Sequence, residues 1–213
     1  MFKKWCSTYW LYAMYIIGAI LAILLALNWT VWSYIFRLMV FVPIALTLHV
    51  IEEWRIPGGF HYGYNLVFGS DCPNVYPMNT LVDMLTVFCG QLMFLAFLIL
   101  APNPGTMLGL AVFSYMEGVG HIAMAIFLYC KLKRKGKKTI YSPGFVTAVT
   151  VFLPAAILLT RELMGTAFST GDWITFAVLL SGVFACVFVP DILFKSKTTP
   201  YAFPSARYFK KFE

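Results

Sequence analysis

The sequence predicts an all-α integral membrane protein, a compact bundle of about six transmembrane helices with both termini cytoplasmic. Three observations carry that prediction. Of the 213 residues, 61% are hydrophobic and 12% charged, against roughly 25% charged in a soluble domain, and the mean hydropathy is +0.79. The apolar residues gather into stretches of about 20, the length that crosses a bilayer as a helix. Lysine and arginine gather at Lys3 and Lys4, in the loop from Lys131 to Lys138, and in the tail. An even number of spans puts all three on one side, as the positive-inside rule requires.

The first span covers residues 10–29, after Lys3 and Lys4. Asn28-Trp29-Thr30 follows it in place of a small-residue cleavage site, so it reads as a retained helix and not as a signal peptide. The second, 33–54, carries Arg37 near its start, where the long side chain can snorkel. It contains Pro43, which breaks the hydrogen-bond ladder, and ends in His49-Val50-Ile51-Glu52-Glu53-Trp54. The connector from Arg55 to Met78 includes Pro57-Gly58-Gly59-Phe60-His61-Tyr62-Gly63-Tyr64-Asn65, rich in glycine and aromatics and nearly uncharged. Such a segment is expected along the interface or folded back over the bundle, as a lid bearing His61.

The third span, 80–101, has Asp83 near its start, and Pro102-Asn103-Pro104-Gly105 turns the chain into the fourth, 105–130, with Glu117-Gly118-Val119-Gly120-His121 in its middle. Tyr141-Ser142-Pro143-Gly144 opens the fifth, 143–163, which ends at Arg161-Glu162; a polar turn then leads to the sixth, 172–190. No repeat or soluble module is visible, so residues 1–213 form a single domain. The expected location is the cell (inner) membrane, as a multi-pass protein.

The net charge of +7 does not point to nucleic acid, because membrane topology already accounts for the basic clusters and no basic–aromatic module interrupts the spans. Five cysteines without a C-x-x-C pair support neither a disulfide framework nor a thiolate metal site. The expected partners are membrane lipids and a hydrophobic small-molecule substrate, with a second copy or another membrane protein left open.

Ionisable side chains inside hydrocarbon cost roughly 2.5–3.5 kcal/mol each and mark functional candidates. On a helix, Glu52 and Glu53 both lie within about 60° of His49, and Glu117 and His121 share a face at i, i+4. At about 1.5 Å per residue, His49 lies about 22 Å into its span and Glu52 about 27 Å, with Glu117 at about 17 Å and His121 at about 22 Å in the parallel fourth span. The two pairs therefore meet at one depth. Glu162, about 28 Å into an oppositely directed span, falls at the other face.

Histidine and carboxylate donors without thiolates suit a divalent metal such as zinc, iron or manganese. The expected ligands are His49, Glu52, Glu117 and His121. Glu53 or Asp83 then serves as base, and His61 arrives on the lid. The leading expectation is a metal-dependent enzyme acting on a lipid-like substrate. Open alternatives are a metal-free acid/base isomerase of a sterol- or isoprenoid-like lipid, a proton-coupled transporter, a non-catalytic subunit of a membrane complex, and a purely structural polar network joining two helices.

His49-x-x-Glu52-Glu53, the later histidine-bearing helix, the basic loop and the Tyr141-Ser142-Pro143-Gly144 opening together resemble the HXXEE family of small bacterial membrane proteins, over roughly Ile35 to Thr160. The resemblance implies a multi-span fold and highlights the same motif residues. It implies no activity, since the family is defined by sequence alone.

Overall fold

The computed structural model describes all residues, 1–213, and is helical throughout with no strand. Six helices are long and apolar enough to cross a membrane: α1 (Phe2–Leu27), α2 (Tyr34–Trp54), α4 (Thr80–Leu100), α5 (Pro104–Lys135), α6 (Phe145–Leu163) and α7 (Thr170–Phe194). A short helix, α3 (Phe60–Val67), lies in the connector between α2 and α4. The chain is thus a multi-pass membrane protein, and α1 begins eight residues ahead of its expected start because Phe2, Lys3 and Lys4 continue it.

Helix starts follow local chemistry. Ser33, Asn79 and Asn103 accept hydrogen bonds from first-turn backbone N–H groups of α2, α4 and α5, and Ser169 forms a reciprocal capping box with Asp172 at α7. Each cap satisfies donors that helix geometry leaves without partners. Helix α6 differs. Its N-cap is Gly144, with no side-chain cap of its own, and residues Ala148–Phe152 form a π turn before the α-helix resumes.

The core is one apolar cluster drawn from α1, α2, α4, α5, α6 and α7, with Trp10, Met14, Ala45, Phe94, Leu110, Phe152 and Leu179 among its fully buried members. Lipid provides no hydrophobic drive between helices, so close approach at small residues matters. On α5, a Cβ added at Gly118 would strike Leu153 of α6, one at Gly105 would strike the Asp172 carbonyl, and one at Gly109 would lie 2.5 Å from Leu179 of α7. Glycines therefore set the α5–α6 and α5–α7 spacings. On the outer surface, Ile16, Ile20, Ile23 and Leu27 of α1 and Ile174, Val178 and Phe188 of α7 are exposed, as lipid-facing residues should be.

The connector folds back over the bundle, and α3 packs on α5. Asn65 closes it into a compact loop: its side chain donates to the carbonyls of Pro73 and Met78 at 2.8 Å each and accepts from Met78 N at 2.8 Å. The C-terminal tail is woven into the same end of the molecule. Thr80 N and Oγ1 donate to the Tyr201 carbonyl, and Phe203 N donates to Asn74 O. The final turn, Arg207–Phe212, buries Phe209 and Phe212 against Leu128 and Leu132.

Candidate functional site

Helices α2 and α5 bring His49 and His121 together. Their Nε2 atoms are 3.1 Å apart, and Glu53 Oε1 lies 3.2 Å from the first and 3.3 Å from the second. Glu117 Oε2 faces the same two nitrogens at 3.5 and 3.6 Å. His49, His121 and Glu53 are buried, and Glu117 is partly exposed.

This group could hold a metal ion, and its dimensions fit one. A tetrahedral zinc with ligands at about 2.0–2.1 Å has donor atoms about 3.3 Å apart. The triangle formed by His49, His121 and Glu53 has sides of 3.1, 3.2 and 3.3 Å. Two histidines, a carboxylate and one remaining position make a pattern used by catalytic zinc sites.

Glu52 and Glu53 exchange the positions expected of them. Glu53, at i+4, stacks about 40° from His49 and enters the histidine group, whereas Glu52, at i+3, is turned about 60° the other way. That rotation aims Glu52 at the start of α6. Its carboxylate accepts from Thr147 N at 2.8 Å, Thr147 Oγ1 at 2.6 Å, Val146 N at 3.1 Å and Tyr141 Oη at 3.2 Å. Glu52 is thus the missing cap of α6, supplied from α2, and a negative charge suits that helix end.

Thr147 links this cap to the site. Its hydroxyl has one proton, and the acceptor-only Glu52 carboxylate 2.6 Å away takes it. His49 Nδ1, 2.7 Å from the same oxygen, must then be the donor. The chain Glu52–Thr147–His49 fixes the His49 ring with Nε2 facing Glu53 and His121. Such outer partners orient metal-binding histidines generally.

Gly144 completes the surround. With φ of +90°, it sits so close to both rings that a Cβ would lie 2.8 Å from His121 Nδ1 and 3.0 Å from His49 Cε1. Tyr141 and Gly144 of the Tyr141-Ser142-Pro143-Gly144 element thus act by holding Glu52 and by making room for two imidazoles. This element stood out in the sequence without a role. The signal was there in a glycine placed just before a helix that has no cap of its own.

The other expected residues divide. Asp83 is buried and lines a cavity of about 180 Å³ with His49, Glu53, Glu117 and Asp191; Asp191 lay outside the sequence expectation because it falls beyond the sixth apolar run. His61 does not reach the site. It is stacked on Phe203 of the tail, with ring centroids 3.6 Å apart, and contacts Asn74 at 3.4 Å. Its neighbour Phe60 is the connector residue that covers the site, 5.2 Å from the His121 ring. One residue along a helix is a rotation of about 100°, enough to exchange the two sides. Burial first, and the nearby Arg207 charge besides, hold His61 at a pKa of about 3. Glu162 pairs with Arg161 at 3.1 Å, apart from the group.

On the α3 side lies a groove of about 450 Å³, lined by Phe60, Tyr64, Phe68, Met116, Met124 and Phe127 among others, with Glu117 and His121 also in its wall. Glu117 lines both this apolar groove and the carboxylate-lined cavity.

Fold and site together define a multi-pass helical membrane protein with a buried histidine–glutamate group between two of its spans. Residues 40–159, more than half of the chain, match the family described as "Protein of unknown function with HXXEE motif", and the protein belongs to that family. No curated protein and no solved structure matches the chain.

Proposed function

We propose that this protein is a membrane-embedded, metal-dependent enzyme of the cell (inner) membrane that acts on a hydrophobic, lipid-like substrate. The observation that carries the reading is the triangle of His49, His121 and Glu53 donors, 3.1 to 3.3 Å on a side, beside an apolar groove of about 450 Å³. Zinc, iron or manganese suits these donors, and a divalent ion there would activate water or polarise a substrate oxygen.

The chain's own residues take distinct parts. Glu52 and Thr147 orient His49, and Gly144 seats both rings. Glu117, common to the groove and the adjoining cavity, is positioned to take a proton on the substrate side and release it toward Asp83 and Asp191. Phe60 closes the histidine group from the connector side and limits water. The apolar wall of the groove favours an acyl or isoprenoid chain over a polar metabolite or a nucleic acid.

The test is metal analysis of the wild-type protein purified without chelators, beside His49→Ala and His121→Ala. About one ion per wild-type chain, lost in both variants, is expected; absence of stoichiometric metal in the wild type sinks the proposal. A metal-free acid/base reaction is the second reading. The short His49–Glu53 and His49–His121 contacts, 3.2 and 3.1 Å, favour it because they suit proton sharing as well as coordination. Turnover that survives exhaustive chelation would select it.

A further inference from the structure

A second pocket, of about 370 Å³, opens at the end of the bundle where the chain termini meet. Four segments converge on it: Lys3, Ser7 and Thr8 at the start of α1, Trp54 and Arg55 at the end of α2, Gly59 and His61 at the start of α3, and Ala202 to Ser205 with Arg207 in the tail. Its size falls within the range of small-molecule sites, about 300–1,000 Å³.

The charge of this lining is one-sided. Lys3, Arg55 and Arg207 all border the pocket, no carboxylate does, and none of the three is in an ion pair. Ser7, Thr8 and Ser205 add hydroxyls. Topology explains why cations lie at this end of a membrane protein. It does not explain why three from distant parts of the chain share one concavity.

The backbone has been shaped to hold one of them. Arg207, at φ 47°, is the chain's single non-glycine residue with positive φ, a conformation that costs free energy and persists where the surroundings enforce it. The tail is seated here against Gly58 and Gly59, which leave no room for side chains of their own. A Cβ on Gly58 would lie 2.6 Å from Arg207 Cδ, and one on Gly59 2.6 Å from the Ala206 carbonyl. Tyr208 N also donates to Gly58 O at 3.3 Å and Arg207 N to Ser205 Oγ at 3.0 Å. His61, flat against Phe203, forms a wall.

We infer that this pocket binds a phosphate group, held by Arg55, Arg207 and Lys3 with hydroxyls from Ser7, Thr8 and Ser205. Guanidinium groups match phosphate oxygens in paired hydrogen bonds, and lysine adds a point charge. The phosphate belongs either to an anionic lipid headgroup or to a soluble phosphorylated molecule, since the pocket lies at the end of a spanning bundle. The site is separate from the histidine group and does not depend on its function.

The test uses the full chain in a neutral detergent, titrated with inorganic phosphate and, separately, with a short-chain phosphatidic acid, binding being read by calorimetry. Saturable binding weakened at least about tenfold in Arg55→Gln and in Arg207→Gln is expected, with Lys197→Gln, a cation paired with Asp71 at 2.8 Å away from the pocket, binding as wild type. Binding of the lipid alone assigns a headgroup source; binding of both probes assigns a soluble one. Arg207→Gly, which removes the cation while relieving the strained φ, guards against misfolding and should lose binding as well. Failure of both probes to saturate, or unchanged binding in Arg55→Gln, Arg207→Gln and Arg207→Gly, overturns the proposal.

Discussion

Replacing Gly144 by alanine adds a single carbon where the structure leaves no room for one. That carbon would lie 2.8 Å from His121 Nδ1 and 3.0 Å from His49 Cε1. Carbon atoms in contact rest at about 3.5–4.0 Å, so the His49 ring must retreat by about 0.5 Å and the His121 ring by more. Metal–ligand distances tolerate only about 0.2 Å. Loss of an outer partner alone weakens metal binding about 10–100-fold, so displacing both rings should weaken it by about 100-fold or more. The substitution also places a side chain at φ +90°, at a cost of roughly 1–2 kcal/mol. Gly136→Ala separates the two effects, because Gly136 has φ +92° with nothing within 4 Å of where the added methyl would stand. Metal affinity by chelator competition, with folding followed by thermal denaturation, should fall for Gly144→Ala and hold for Gly136→Ala. Equal affinity in the two variants would refute the packing of Gly144 against the histidines.

Thr147→Val removes the hydroxyl between Glu52 and His49 and should weaken metal binding about 10–100-fold, while Thr147→Ser retains it; the same chelator competition decides, and an unaffected Thr147→Val would remove Thr147 from the site. With His61 at a pKa of about 3 in the folded chain and 6.5 when free, the unfolded connector binds a proton between those values that the folded one does not. Its stability is therefore complete above pH 6.5 and falls toward pH 3, by at most about 1.4 kcal/mol per pH unit. Hydrogen exchange of residues 56–79 should show this slope, and His61→Phe, which keeps a ring against Phe203, should lessen it; identical slopes would exclude His61 as the source. Gly105→Ala forces α5 away from the Asp172 carbonyl of α7 and should destabilise the protein by about 1–3 kcal/mol, seen as a lower Tm in detergent, where an unchanged Tm would contradict the close approach.

The parts of the site legible in the sequence were those fixed by periodicity and depth. His49, Glu117 and His121 could be paired because rise per residue converts sequence position into depth along a helix. The choice between Glu52 and Glu53 could not be made that way. Both lie near the His49 face, and what separates them is where α5 and α6 stand around α2, a tertiary fact. Thr147 and Gly144 escaped for another reason: one acts through a hydroxyl and a backbone N–H, the other through the absence of a side chain, and neither carries charge. For the fold, apolar length located all six spans. The helix Phe60–Val67 did not stand out, since its order comes from packing on α5 and from the Asn65 bonds. His61 was drawn toward the site by its chemistry, but the tail residue that holds it, Phe203, lies more than a hundred residues away.

The π turn at Ala148–Phe152 divides α6 into two segments that are phased independently. A π turn contains one residue more than the α-helical turn it replaces. Beyond it, Leu153 meets Gly118 of α5; before it, Thr147 meets His49 and Glu52. Were the same residues wound as a regular α-helix, the segment beyond the turn would rotate against the one before it by about 100°. Either the packing seam with α5 or the contact with His49 would then be lost. The π turn therefore absorbs one extra residue without disturbing either contact, and a relative lacking that residue should run a regular α-helix here and keep both the α5 seam and the contact with His49.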